Sequence, residues 1–310
     1  MKYKQWNELQ ISAFSLGTVQ LGMAYGISNT TGKPDFEQAL QMLNRAMELG
    51  VTHLDTSNDY GNSEQVIGQW LHSSCRTRHP LITTKVGHLS FACESQLEQQ
   101  IRKQVEDSLN RLHLSQLPIL MLHYYEEYAQ QPQWMQRIFR RLKEEKLIVH
   151  SGISAYSHHD YRVIADSGFD AVQIPLNLFD WQRITDGSLD RLAQAGMAVF
   201  VRSAFLQGLV FLKSDQLEPQ MSFCKPALSH FRELCDAFGM RPEELAVSFL
   251  LTLPQVTGLV LGCDTIAQVE SNAALMDRAK ALTNTQMETI RAAFEDIDPR
   301  VINPGCWHKP

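Results

Sequence analysis

Residues 52–64, THLDTSNDYGNSE, decide how this chain is read. Thr52, His53 and Leu54 start as a strand, which breaks into a polar loop turning at Gly61. Asp55 and Tyr60 therefore stand five residues apart at the end of a strand. A phenol titrates near about 10, so Tyr60 is a poor acid at neutral pH unless a nearby ammonium favours the phenolate. The next two apolar runs end in polar residues as well: LITTK ends in Lys85 and LPILMLH in His123. Polar residues at successive strand ends are where an α/β barrel keeps its chemistry.

Working outward, strands alternate with helices. Strands are expected from Phe14 and over 52–54, 81–86, 117–123, 148–154, 171–177, 197–203 and 256–262. Helices are expected over 36–49, with an apolar face of Leu40, Leu43 and Met47, and over 63–72 and 95–112. Further helices follow: one ending near Lys146, then 159–167, 190–196, 226–238, 242–253 and 267–276. Eight alternations with right-handed crossovers make a parallel sheet and close a (β/α)8 TIM barrel. No composition break marks a linker, so residues 1–310 read as a single barrel domain. A loosely alternating segment at 6–14 suggests a hairpin around Asn7-Glu8; 285–294 reads as one extra helix and 296–310 as an irregular C-terminal tail.

The 310 residues, 44% hydrophobic and 20% charged, suit a globular protein with a substantial core. A net charge of -6 gives no electrostatic case for nucleic acid or an anionic membrane. No apolar run is long enough to span a bilayer, and the N-terminus lacks an apolar signal core. Cys75, Cys93, Cys224, Cys235, Cys263 and Cys306 form no CxxC and no regular spacing. They read as reduced thiols of a cytoplasmic protein, and no metal site is expected.

Asp55, Tyr60, Lys85 and His123, supported by Gly61, Ser63 and Glu64, together resemble the tetrad of the aldo-keto reductase family, and further similarity runs from Gly17 to Asn272. The resemblance implies a hairpin closing the barrel bottom. It also implies an NAD(P)-dependent oxidoreductase that interconverts a carbonyl (aldehyde, ketone or sugar) and an alcohol. Tyr60 would then donate the proton, Lys85, held by Asp55, would lower the Tyr60 pKa, and His123 would orient the carbonyl.

No GxGxxG occurs, so the cofactor needs a site other than a Rossmann turn. Barrels commonly hold phosphate at the loops after strands seven and eight. After the seventh comes VRSAFLQGLV, with Arg202, Ser203 and Gly208, which resembles the family segment along the nicotinamide and pyrophosphate. After the eighth comes LGCDTIAQVESN, which resembles the adenosine segment from Gly262 to Asn272. Its helix N-terminus at Asp264-Thr265 is expected to offer free N–H groups. The family holds the nicotinamide carboxamide with polar residues ending strands five and six, here Ser154 and Gln173; Ala155 stands where many relatives have Asn.

The resemblance implies NADP(H). The local sequence leans the other way, because Gln268 and Ser271 replace an Arg and a Glu of many relatives and no Lys or Arg lies between Gly262 and Asp277. A ribose 2′-phosphate is normally held by such a cation, and Asp264 would repel it, so NAD(H) or dual use is expected.

Loops at 23–34, 123–134 and 206–225, with the tail through Trp307, are expected to wall a pocket rich in aromatics (Tyr25, Tyr124, Tyr125, Phe211, Phe223). Such a pocket suits an uncharged carbonyl compound or sugar as the small-molecule partner. The first loop also resembles a subgroup of the family associated with carbohydrate metabolism. Two other classes are set beside this one: a catalytically silent nicotinamide-binding barrel acting as a sensor or regulatory subunit, and a barrel hydrolase using Asp55 and His123. The second would need a metal or nucleophile whose ligand spacing is absent from the sequence.

Overall fold

Short strands that are apolar on both faces can be buried on both sides only if a parallel sheet is wrapped by helices. The computed structural model, which describes residues 1–25, 32–73 and 79–307, shows that solution. A hairpin of β1 (Tyr3–Trp6) and β2 (Leu9–Ser12) comes first. Then come β3 (Phe14–Gly17), β4 (His53–Asp55), β5 (Leu81–Val86), β6 (Leu117–Leu122), β7 (Ile148–Ser154), β8 (Ala171–Pro175), β9 (Ala198–Arg202) and β10 (Val256–Gly262). These eight are parallel and close in chain order, with β10 bonded to both β9 and β3.

The hairpin starts earlier than the alternation indicates, because Tyr3 pairs with Ser12 and Trp6 with Leu9 across an Asn7-Glu8 turn. Asn7 takes the positive φ of 49° that this tight turn needs, a conformation asparagine tolerates. Trp6 and Ile11 then pack against Ile119, Met121, Ala171, Ala198 and Phe200 and plug the N-terminal end of the barrel.

The first long helix, Phe36–Glu48, begins at a capping box made by Asp35 and Gln38. Its buried stripe is Ala39, Met42, Leu43 and Ala46, while Leu40 and Met47 lie at the edge. The stripe is turned from the expected one because the small Ala39 and Ala46, which stand out little in the sequence, share the buried face with Met42 and Leu43. Where a single helix was expected before Lys146 there are two, Tyr125–Gln130 and Pro132–Glu144, separated where proline cannot continue a hydrogen-bonded turn. β9 stops at Arg202 because Ser203 takes a φ of 65°.

Between the plug and the rim lies a polar layer. His53 of β4 bonds Ser15 and Thr83 through its two ring nitrogens, both at 2.8 Å, and stacks on Phe200. Burial pushes its pKa down to about 4, so it stays neutral and structural. Among the described residues no helix is long and apolar enough to cross a membrane.

Candidate active site

The loop after β4 is shaped by close backbone approach. Gly61 has a φ of 57°, and a side chain there would run into the carbonyl of Gly22. The Ser63 hydroxyl donates to the Thr18 carbonyl at 2.9 Å and accepts from Thr56 at 3.0 Å. Glu64 is buried, accepting from the Thr84 hydroxyl at 2.5 Å and from Arg111 at 2.6 Å. Ser63 and Glu64 of the YGNSE stretch thus anchor the loop to the residue after β3, to β5 and to a neighbouring helix, and Tyr60 is held over the rim.

At that rim the four strand-end residues come together. Lys85 is fully buried and places Nζ 2.8 and 2.9 Å from the two oxygens of Asp55 and 2.9 Å from the Thr56 carbonyl. The same ammonium lies 5.0 Å from the centre of the Tyr60 ring. The Tyr60 and His123 rings meet edge-on, 5.9 Å apart.

Electrostatics refine the expected roles. Burial raises the Tyr60 phenol above its ordinary value, and Lys85 pulls it down without fully offsetting that effect. The expected lowering is therefore a correction: Lys85 acts in the expected direction, but desolvation outweighs it. Burial by itself lowers Lys85, yet Asp55 and Tyr60 more than offset this and the ammonium is held above its ordinary value. Burial lowers His123, with Asp59 opposing.

The residues expected around a dinucleotide ring the same rim. Ser154 and Gln173 are buried at β7 and β8, but Gln173 donates one amide N–H to Asp55 at 2.7 Å, which leaves its second N–H and its carbonyl oxygen for other partners. Arg202 donates to the Ala155 carbonyl at 3.2 Å and stacks over Tyr156 at 4.5 Å. Beyond it Ser203, Leu206, Gln207 and Gly208 all have positive φ, and the space around Gly208 is open. Three non-glycine residues in that region within six positions store backbone strain, which concentrates at functional sites.

At Gly262 a side chain would overlap the amide of Gln20, whose buried Oε1 has no partner among the described residues. The helix Ile266–Arg278 narrows one expectation. The Asp264 N–H is taken by Gln268 Oε1 at 2.6 Å and the Gln268 N–H by Thr265 at 3.2 Å, so these donors are satisfied within the cap. Asn272 donates to Cys263 Sγ at 3.3 Å.

The expected pocket walls are met in part. Tyr25 and Phe211 are exposed, and residues 26–31 of the first loop lie outside the described residues. Trp307 is buried and donates its indole N–H to the Arg300 carbonyl at 3.0 Å, so it packs the tail and does not line the rim. Five cysteines are free thiols, and Cys75 lies outside the described residues.

Two features were not singled out from sequence. Asp59, next to Tyr60, accepts from His123 Nδ1 and from the Tyr124 hydroxyl, both at 3.1 Å. Its position inside the loop motif was the available signal, but only the fold brings His123 to it. Glu126, His158 and His159 place ligand atoms within 4.8 Å of one another. His159 Nδ1 accepts the Tyr156 N–H at 3.1 Å, so its Nε2 carries the proton and donates to Glu126 at 3.0 Å. A metal would need that lone pair free; the group is a histidine–carboxylate hydrogen bond.

A parallel barrel with a buried Asp–Lys pair, a tyrosine and a histidine at its C-terminal rim belongs with the (β/α)8 enzymes that work from that face. The model of the aldo/keto reductase family matches residues 13–295, and the chain belongs to that family. NAD(P)-dependent carbonyl reduction is the family's general chemistry. L-galactose dehydrogenase of Arabidopsis thaliana is 24% identical over 94% of this chain and 92% of that protein. An uncharacterized oxidoreductase of Bacillus subtilis is 25% identical over 92% and 94%. The solved structure of glycerol dehydrogenase from Gluconobacter oxydans shares the fold with a TM-score of 0.76, at 21% identity and with 96% of each chain covered.

Proposed function

We propose that this protein interconverts an uncharged carbonyl compound and its alcohol with NAD(P)(H), using Tyr60 as proton donor. The convergence of Asp55, Tyr60, Lys85 and His123 at one rim carries this reading. Charge develops on the substrate oxygen during reduction, so a donor held beside it stabilises the transition state more than the ground state. Tyr60 gives its proton to that oxygen in reduction and takes one back in oxidation. Lys85, anchored by Asp55, opposes the rise that burial imposes on the phenol. His123 orients the oxygen.

Ser154 and the side-chain amide of Gln173 suit the nicotinamide carboxamide. Arg202 and the open, strained backbone at 203–208 suit the pyrophosphate. The stretch from Gly262 to Asn272, with the Gln20 oxygen that has no partner among the described residues against it, suits the adenosine. The cofactor, when bound, supplies or accepts the hydride. The absence of Lys and Arg between Gly262 and Asp277, with Asp264 nearby, favours NADH or dual use over strict NADPH dependence.

A hydroxylated aldehyde or sugar is the favoured substrate class, supported by the names of the relatives, L-galactose dehydrogenase and glycerol dehydrogenase. No observation favours a silent nicotinamide-binding barrel over this. Parallel fluorescence titrations with NADH and NADPH, followed by loss of reduced-nicotinamide absorbance with glyceraldehyde, test the proposal. Binding with turnover is expected; binding of neither cofactor would overturn it.

A further inference from the structure

The carboxylate of Asp59 sits in a slot built for it. One oxygen lies 3.1 Å from His123 Nδ1 and 3.1 Å from the Tyr124 hydroxyl. The other lies against Gly87, where any side chain would overlap it. The Asp59 N–H donates to Ser57 Oγ at 3.2 Å, and that oxygen is itself 3.3 Å from His123 Nδ1. His88 stacks on Tyr124 at 3.6 Å and closes the outer side. No described residue bonds the other ring nitrogen of His123, Nε2.

An ionised carboxylate only accepts hydrogen bonds, so Nδ1 must carry a proton. In the neutral ring Nε2 then has a lone pair and no hydrogen. It can accept from an alcohol O–H, but it cannot donate to a carbonyl oxygen until the ring becomes an imidazolium. We propose that Asp59 is a positioning residue that fixes His123 as the Nδ1–H tautomer, so that Nε2 meets the substrate oxygen as an acceptor when neutral and as a donor only when protonated. This rests on the reading of His123 as the group that orients the substrate oxygen.

Charged and titratable groups face the imidazole from each element around it. Asp59 and Tyr60 come from the loop after β4, Asp55 from the end of β4, Lys85 from β5 and Tyr124 from its own loop. Burial and Lys85 disfavour the imidazolium, while Asp59 and Asp55 favour it. It follows that alcohol binding gains as the ring loses its proton and carbonyl binding gains as the ring acquires one. Asp59 couples the direction of the reaction to pH through KM.

The test is a long-range ¹H–¹⁵N correlation spectrum of the full chain labelled with ¹⁵N-histidine, recorded without cofactor or substrate. The His123 signals are identified by their loss in His123→Gln. The Nδ1–H pattern is expected for neutral wild-type His123, shifting toward Nε2–H in Asp59→Asn, whose amide can donate to Nδ1. An Nε2–H pattern in the wild type would overturn the inference without any variant, as would an unchanged pattern in a folded Asp59→Asn. Because the spectrum needs no turnover, it stays readable if the reductase proposal fails; that proposal fails separately if neither cofactor binds.

Discussion

The side-chain amide of Gln173 donates a 2.7 Å hydrogen bond to Asp55, 118 residues earlier in the chain. Asp55 therefore receives Lys85 and Gln173 together, in a site where all three side chains are buried. The carboxylate that anchors the ammonium beside Tyr60 also fixes the amide proposed for the nicotinamide. In the proposed mechanism, proton delivery and cofactor placement would share one anchor across the barrel.

Tyr60→Phe removes the hydroxyl and keeps the ring. Carbonyl reduction should fall by about 10²–10⁴-fold, the range for loss of a general acid, while the cofactor dissociation constant stays close to that of the wild type. Steady-state kinetics and fluorescence titration check both halves. A near-normal kcat with a good carbonyl substrate would mean the proton comes from elsewhere.

The pH dependence follows from the direction of the Tyr60 shift. Burial raises the phenol, so the protonated form persists above the ordinary range: kcat for reduction should stay level across neutral pH, and kcat for oxidation should climb with pH as phenolate forms. Lys85→Met removes the group that pulls the phenol down. The rise in oxidation rate should therefore begin at higher pH in this variant, with activity strongly reduced. A limb that moves to lower pH, read from kcat profiles at saturating substrate, would contradict the assignment.

Gln268→Arg puts a cation into the only expected adenosine segment, which has none of its own. If the 2′ position lies there, NADPH binding should strengthen relative to NADH by about 1.5–3 kcal/mol, the scale of a hydrogen bond to a charged group. The change also removes the 2.6 Å bond that caps the Asp264 N–H, so a loss of about 0.5–1.5 kcal/mol in stability should accompany it. Parallel titrations and thermal melts separate the two effects. An unchanged NADPH/NADH ratio would place the ribose 2′ position elsewhere.

Gly61→Ala tests the loop anchor through stability as well as activity. The new methyl would meet the Gly22 carbonyl in a backbone of positive φ. A loss of about 1–3 kcal/mol is expected from strain of this kind, with Tyr60 displaced and activity reduced. Denaturant unfolding measures the first and kcat the second; wild-type stability would show that the loop can shift without cost.

The alternation of strands and helices, and the places where they stop, can be read from the sequence because apolar period and strand-end polarity are local properties. Asp55 ends β4, Lys85 is the penultimate residue of β5 and His123 follows the last residue of β6, within one residue of where their runs indicate, and the fold follows from counting eight such units. Element ends were less legible: the early start of β1 and the turned face of Phe36–Glu48 depend on which neighbour each side chain meets. Tertiary structure alone decided what each site residue touches. Closing the barrel brings β8 across to β4, so that Gln173 meets Asp55, and it sets Asp59 between His123 and Gly87. It also buries Tyr60 deeply enough for desolvation to outweigh the ammonium beside it, because that balance depends on the whole surroundings of the phenol and on no spacing in the chain.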